Sequence, residues 1–244
     1  MGLEVGRVEA LFRYPVKSMR GQPLEFASLG WHGIEGDRRF ALRRLDVSND
    51  FPWLSASRLP ELIGFTPERD ERGAGDAPTH IRTPEQQLLP LFSEALAVDI
   101  GRRYGGPVEM MEMKHGVFDE ATISVIAVET IAEICRLAGR EPDVRRFRPN
   151  IVVRATDPTP FEEDRWVGGA LTFGEDDDSP ALAITMRDVR CAMVNLDPDD
   201  GRRDPSVMKA VVRVHDNTAG VYASVTRIGR LAVGERVILH PSPH

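Results

Sequence analysis

The chain has 244 residues, 41% of them hydrophobic and 28% charged, with a formal net charge of −7. That length allows one large or two small domains with a sizeable core. The acidic total argues against a nucleic-acid binder, which shows a basic domain or stripe. No stretch approaches the roughly 18 consecutive apolar residues of a transmembrane helix, and the N-terminus lacks the basic and apolar regions of a signal peptide. The expectation is a cytoplasmic protein without a membrane partner.

In chain order, Val5 to Tyr14 alternates apolar and polar residues as a half-buried strand does, and Pro15 stops it. A polar loop from Lys17 to Pro23 leads to a second alternating run, Leu24 to Leu29. Gly30, Gly33 and Gly36 punctuate a turn-rich connection before a strand at Arg39 to Arg43. Short β segments continue to about residue 115, with Arg69 to Pro78 reading as an exposed hairpin tip. The spacing of Ile126, Ile131, Ile134 and Leu137 predicts a helix over Val125 to Leu137, stopped by Gly139. Strand patterns follow at Asn150–Arg154, Ala170–Phe173, Ala181–Met186, Cys191–Leu196, Val221–Arg227 and Arg236–Leu239. Strands and helices do not alternate, so a doubly wound parallel sheet is disfavoured. The expectation is a β-rich α+β fold of two β-dominated halves meeting near residue 118.

Several chemistries are excluded by their missing motifs. There is no GxGxxG after a strand and no GxxxxGK[ST]. The six histidines show no HExxH or paired spacing and read as surface or lightly structural residues. The acidic run beginning at Asp197 hints at a calcium loop, but Met208 stands where the bidentate Glu should be, so it reads as a turn. Glu175 to Asp178 reads likewise as a solvated hairpin loop. Cys135 and Cys191 are the only cysteines. Two are too few for a disulfide scaffold or for an iron–sulfur cluster, which takes about four ligands. Any redox chemistry here therefore draws its electrons from another protein.

Three segments depart from generic strand-and-turn composition. They are Tyr14-Pro-Val-Lys-Ser-Met-Arg-Gly with the later Gly33-Ile-Glu-Gly-Asp-Arg-Arg-Phe, then Phe147-Arg-Pro-Asn-Ile-Val-Val, then Val189-Arg-Cys-Ala-Met-Val-Asn-Leu-Asp-Pro. Lys17, Ser18, Arg38, Arg148 and Asn150 offer cations and donors at strand ends, suitable for a cofactor phosphate. The bland alternative makes Lys17 and Arg38 surface charges and pairs Arg148 with a carboxylate. Cys191 stands beside Arg190, and a nearby cation favours the thiolate that ligates metals or attacks electrophiles. A lone cysteine in an apolar strand is otherwise core, which is the reading for Cys135 beside Ile134.

Taken together and in this order, these segments resemble the MOSC family, named for the C-terminal domain of molybdenum cofactor sulfurase. The YPVKS-x-x-G and GDRR motifs and the segment Phe51 to Ile63 resemble its N-terminal β-barrel domain. The FRPN-I-V motif, the Cys191 motif with its Asp-Pro, and the tail Gly220-Val-Tyr-Ala-Ser-Val…Gly229…Leu231-Ala-Val-Gly-Glu-Arg-Val resemble the MOSC domain. The resemblance implies a β-barrel domain over 1–117 followed by a MOSC β-barrel domain over 118–244 with a few helices. The layout is similar to the mitochondrial amidoxime reducing component and its bacterial counterparts. That implies a molybdenum cofactor (Mo-molybdopterin) with Cys191 on the metal, and Lys17, Ser18, Arg38, Arg148 and Asn150 around the cofactor. Thr122 and Ser124, on the segment entering the helix, are implied as further contacts. Asp199-Asp200-Gly201 stands where relatives often have Thr-Gly after the Asp-Pro, and Asn195 where they often have Thr. Both departures are expected to border the pocket and bear on substrate preference.

The activity so implied is a molybdenum-dependent oxidoreductase that reduces N-hydroxylated small molecules, fed by a separate iron–sulfur or flavin protein. The alternative is a sulfur carrier holding a Cys191 persulfide for metal-sulfur cofactor assembly. A third is a cofactor-storage protein or a degenerate member with a structural Cys191.

Overall fold

The computed structural model describes residues 2–48, 51–69, 77–174, 176 and 178–241. Most of the expected 69–78 hairpin tip, and Glu175 and Asp177 of the expected acidic loop, lie outside them. In the first half run β1 (Leu3–Arg13), β2 (Gln22–Leu24), β3 (Phe26–Gly30), β4 (Gly33–Ile34), β5 (Phe40–Arg44), β6 (Thr66–Glu68), β7 (His80–Arg82), β8 (Leu88–Pro90), α1 (Glu94–Tyr104) and β9 (Val108–Glu112). The second half contains β10 (Ile123–Ala127), α2 (Val128–Leu137), β11 (Ile151–Ala155), β12 (Ala170–Phe173), β13 (Ala181–Val189), α3 (Ser206–His215), β14 (Thr218–Arg227), β15 (Gly229–Ala232) and β16 (Arg236–His240).

Seven strands close a barrel in the order β11-β10-β14-β13-β12-β16-β1, with β1 returning to β11 and β2 extending from β1. Closure removes the unpaired sheet edges that otherwise invite aggregation. The first strand of the chain thus completes a barrel built by the second half. Its interior combines Val5, Val8 and Leu11 with Val125, Trp166, Leu182 and Val237, all buried. A second core, centred on Leu42, Leu62, Phe65, Leu96 and Ile100, lies under the small sheets β5-β9 and β6-β7-β8. A third packs α2 and α3 outside the barrel, through Ile131, Ile134, Cys135, Val207 and Val211.

The expected helix over Val125–Leu137 begins three residues later than its periodicity predicts. Ile123 to Ala127 are all buried and form β10, between antiparallel β14 and parallel β11. A β-branched run enclosed on both faces favours a strand over a helix. The Ala127 N–H at the helix start is accepted by Glu163, 36 residues away, so no local cap marks the boundary. Helix α1 replaces part of the expected β run, capped by Ser93 Oγ on the Leu96 N–H and ended by a left-handed Gly105. Helix α3 follows the acidic turn. The Asn195 side chain accepts the Met208 N–H and Asp204 accepts that of Ser206, satisfying donors of its first turn.

Candidate functional site

The motif at 14–21 and the motif at 33–40 meet backbone to backbone. Arg38 N–H donates to the Tyr14 carbonyl (2.7 Å), Lys17 N–H to the Phe40 carbonyl (2.8 Å) and Phe40 N–H to the Pro15 carbonyl (3.1 Å). Beneath them Asp37 is a fully buried hub. Its carboxylate accepts the Tyr14 N–H (2.6 Å) and the Asn150 amide (3.0 Å), and pairs with Arg38. Asn150 also donates to the Phe12 carbonyl and accepts the Ser124 N–H, so its side chain ties β1 to β10. Its role here is positioning.

This arrangement opens a cavity of about 400 Å³ between the two halves. Lys17, Ser18, Arg38, Ser124, Arg148, Asn150 and Cys191 all line it. Thr122 does not. It lies against Gly33, where an added Cβ would come within 2.9 Å of the Thr122 carbonyl oxygen. Ser18, Arg38 and Arg148 hold left-handed backbones with φ of 70°, 49° and 51°. Such conformations cost energy for residues with side chains and concentrate where a site dictates geometry.

Neither Lys17 nor Arg38 is a surface charge. Lys17 is buried, donates to Asp119 (2.8 Å), and is held below the ordinary lysine range by burial, which Asp119 only partly offsets. Arg148 has no carboxylate partner among the described residues. Its guanidinium sits 4.2 Å from the centre of the Tyr14 ring, beside Arg38 at 4.7 Å on the same ring. Burial, with Arg38 close by, lowers Arg148 to about 10. The cavity therefore carries a guanidinium that forms no ion pair with a carboxylate among the described residues, an arrangement that suits an anion.

Cys191 follows β13 and begins a 3-10 turn over Ala192–Asn195, in place of the expected strand. The Leu196 carbonyl at the end of that turn accepts from the buried Arg146, which also binds Asp197 at 2.8 Å. Cys191 is exposed on the cavity, whereas Cys135 is buried against α3, where burial pushes its thiol up. Arg190, next to Cys191, donates to Asp188 and to the Phe147 carbonyl. Asp188 is itself buried and accepts from Ser124 (2.8 Å). Burial raises its carboxyl, against the pull of Arg190.

Residues 112–238, just over half of the chain, match the family model of the MOSC domain, and residues 5–97 match the MOSC N-terminal beta barrel domain. The chain belongs to the MOSC-domain family. Mitochondrial amidoxime reducing component 2 from Rattus norvegicus is 29% identical to it, and that from Homo sapiens 28%; each comparison spans 96% of this chain and 83% of the relative. The Bos taurus protein of that name is 30% identical over 132 residues, and there the chain spans only 37% of the relative's length. In fold this MOSC chain is similar to the YuaD protein from Bacillus subtilis over the whole of both, with a TM-score of 0.54 at 16% identity.

Around this MOSC cavity, sequence reading missed the roles of Asp37, Asp119 and Asp188. The signal for Asp188 is a carboxylate on the face of β13 that also buries Leu182 and Ile184. The two departures from the family pattern do not line the cavity. Asn195 serves α3, and Asp199 pairs with Arg145 at 2.6 Å. The acidic run contains no cluster of three metal-ligating groups among the described residues. Asp197 and Asp199 are spent on Arg146 and Arg145. No helix of the described residues is long and apolar enough to cross a membrane.

Proposed function

We propose that this chain is a molybdenum cofactor-binding oxidoreductase that reduces N-hydroxylated compounds with electrons from a separate redox protein. The observation that carries the reading is one cavity in which an exposed cysteine faces a half-buried cation without a carboxylate partner among the described residues. The donor set fits the cofactor. Cys191 offers a thiolate as metal ligand. Lys17, Ser18, Arg38 and Arg148 offer the cations and hydroxyl for a phosphate. Asp37 and Asn150 position Arg38, while Asp188, bonded to Ser124, holds Arg190 beside Cys191. When bound, the cofactor supplies two-electron, oxygen-removing chemistry. The overall conversion takes an N-hydroxyl compound, two electrons and two protons to the amine or amidine and water. The names of the relatives support this substrate class. Two cysteines are too few for an iron–sulfur cluster, which supports a second protein with an iron–sulfur or flavin centre as the electron donor.

The test is molybdenum and pterin content in wild type and Cys191→Ala, expressed in a host that makes the cofactor. Near-stoichiometric molybdenum in wild type, lost in the variant with the fold intact, is the expected result. An alanine variant with full metal and full turnover sinks the assignment. No metal or pterin in wild type, with a stable gain of one sulfur atom on Cys191 by intact mass, moves it to a sulfur carrier.

A further inference from the structure

A second cavity, of about 290 Å³, lies behind the wall of Arg146, Arg148 and Met193 that also faces the Cys191 cavity. Its apolar walls come from both halves of the chain, with Phe12, Pro23 and Ile63 from the first and Leu196 and Pro198 from the second. Arg20, Arg145, Arg146 and Arg148 also line it. These four are not equivalent. Arg145 is held by Asp143 (2.8 Å) and Asp199 (2.6 Å). Arg146 is held by the Leu196 carbonyl (2.9 Å) and Asp197 (2.8 Å). Arg20 makes one long donation, to the Pro198 carbonyl at 3.4 Å, and its Nε is buried with no acceptor. Arg148 has the Tyr14 ring and no carboxylate among the described residues. Burying guanidinium donors without acceptors is penalised unless an anion completes them.

We propose that this cavity is a binding site for a small monoanion with an apolar body, of the class of aromatic or branched aliphatic carboxylates. The carboxylate accepts from Arg20 and Arg148, and the hydrocarbon lies against Phe12, Ile63 and Leu196. The volume is at the lower edge for small-molecule sites and suits a single ring rather than a nucleotide. Arg148 stands in the walls of both cavities, so an anion here and an anion beside Cys191 draw on the same guanidinium. Each weakens the other, and by thermodynamic linkage the effect is reciprocal. The inference does not depend on molybdenum.

The probe is benzoate, with benzyl alcohol as its uncharged counterpart, titrated calorimetrically into the full chain. Expected are one benzoate per chain, at least tenfold weaker binding in Arg20→Gln, and no measurable binding of benzyl alcohol. Saturating inorganic phosphate weakens benzoate. In methyl NMR of the wild-type chain, benzoate shifts Ile63 and Leu196 and leaves Val189, on the Cys191 cavity, in place. That measurement reads the site even if Arg20→Gln fails to fold. No binding, benzyl alcohol binding as tightly, or a moving Val189 with Ile63 unmoved overturns the proposal.

Discussion

Arg103 and Arg148 each lay a guanidinium over an aromatic ring, Phe65 at 5.3 Å and Tyr14 at 4.2 Å, and there the likeness ends. Arg103, on α1, donates to Asp99, Glu61 and Glu85 at 3.0, 2.9 and 2.7 Å, and those carboxylates raise it against the opposing effect of burial. It clamps the helix to the turn at Glu61 and to the β7–β8 connection. Arg148 has no ion pair among the described residues, and Asp37 and Asp119 act on it only from a distance, so burial lowers it to about 10. One cation is saturated by the fold. The other is kept available by it, in the wall of two cavities. A charge whose partners are all internal serves stability, while a buried charge without them costs stability and marks a place for a ligand.

Asp37→Ala has the largest expected effect, because it turns a compensated cation into a second uncompensated one. Arg38 loses its ion pair, and the Tyr14 N–H and the Asn150 amide lose a buried acceptor. Removing one member of such a buried set costs about 3–5 kcal/mol, to be read by urea unfolding. A loss under 1 kcal/mol breaks the assignment of Asp37 as the hub.

Glu163 extends the comparison to the opposite charge. It is fully buried, accepts from Ala127 N–H and Thr130 Oγ1, and burial raises its carboxyl to about 7. The folded state then binds more protons than the unfolded chain between its ordinary value of 4.5 and about 7. Its contribution to stability is therefore greatest below pH 4.5 and falls as pH rises through that window, by about 3 kcal/mol at most. Glu163→Gln should flatten this slope when unfolding free energy is measured from pH 4.5 to 8. Parallel slopes in wild type and variant exclude the raised carboxyl.

Much of this contrast is legible in the sequence only on one side. The residues of the Cys191 cavity fall in short motifs because the chain passes the site in tight segments. Lys17 and Ser18 share one turn, and Arg38 is bonded back to Tyr14. The strands of the barrel are partly visible, since alternation survives in much of β1 and in β16. What local pattern cannot carry is a partner supplied from far away. The start of α2 is capped by Glu163, and the thiol-side arginine is claimed by Asp188 and a Phe147 carbonyl. The apolar run Cys191–Leu196 looks like a strand, but Arg146 fixes its last carbonyl and it turns instead. The caps of α1, Ser93 and Gly105, stand in the sequence. With only Leu96 and Ile100 buried, its apolar face is too thin to outweigh the surrounding β pattern.

The smaller predictions return to the two arginines. Arg103→Met should cost about 1–2 kcal/mol, less than three ion pairs suggest, because Glu61 and Glu85 are more than half exposed and water screens them. Phosphate binding by the chain should not change, because Arg103 lines neither the Cys191 cavity nor its neighbour.

Arg148→Met should do the reverse. Its loss removes a half-buried charge that lacks an ion pair together with a ring contact worth about 0.5–2 kcal/mol, two effects of opposite sign, so unfolding free energy should move by less than about 1 kcal/mol. Anion affinity should fall by at least tenfold, the value of one charge-assisted hydrogen bond of about 1.5–3 kcal/mol. Inorganic phosphate titrated into wild type and variant reads the second quantity, and urea unfolding the first. If Arg148→Met destabilises the fold as much as Arg103→Met and leaves phosphate binding intact, the two arginines are the same kind of residue, and the unpaired guanidinium is structural.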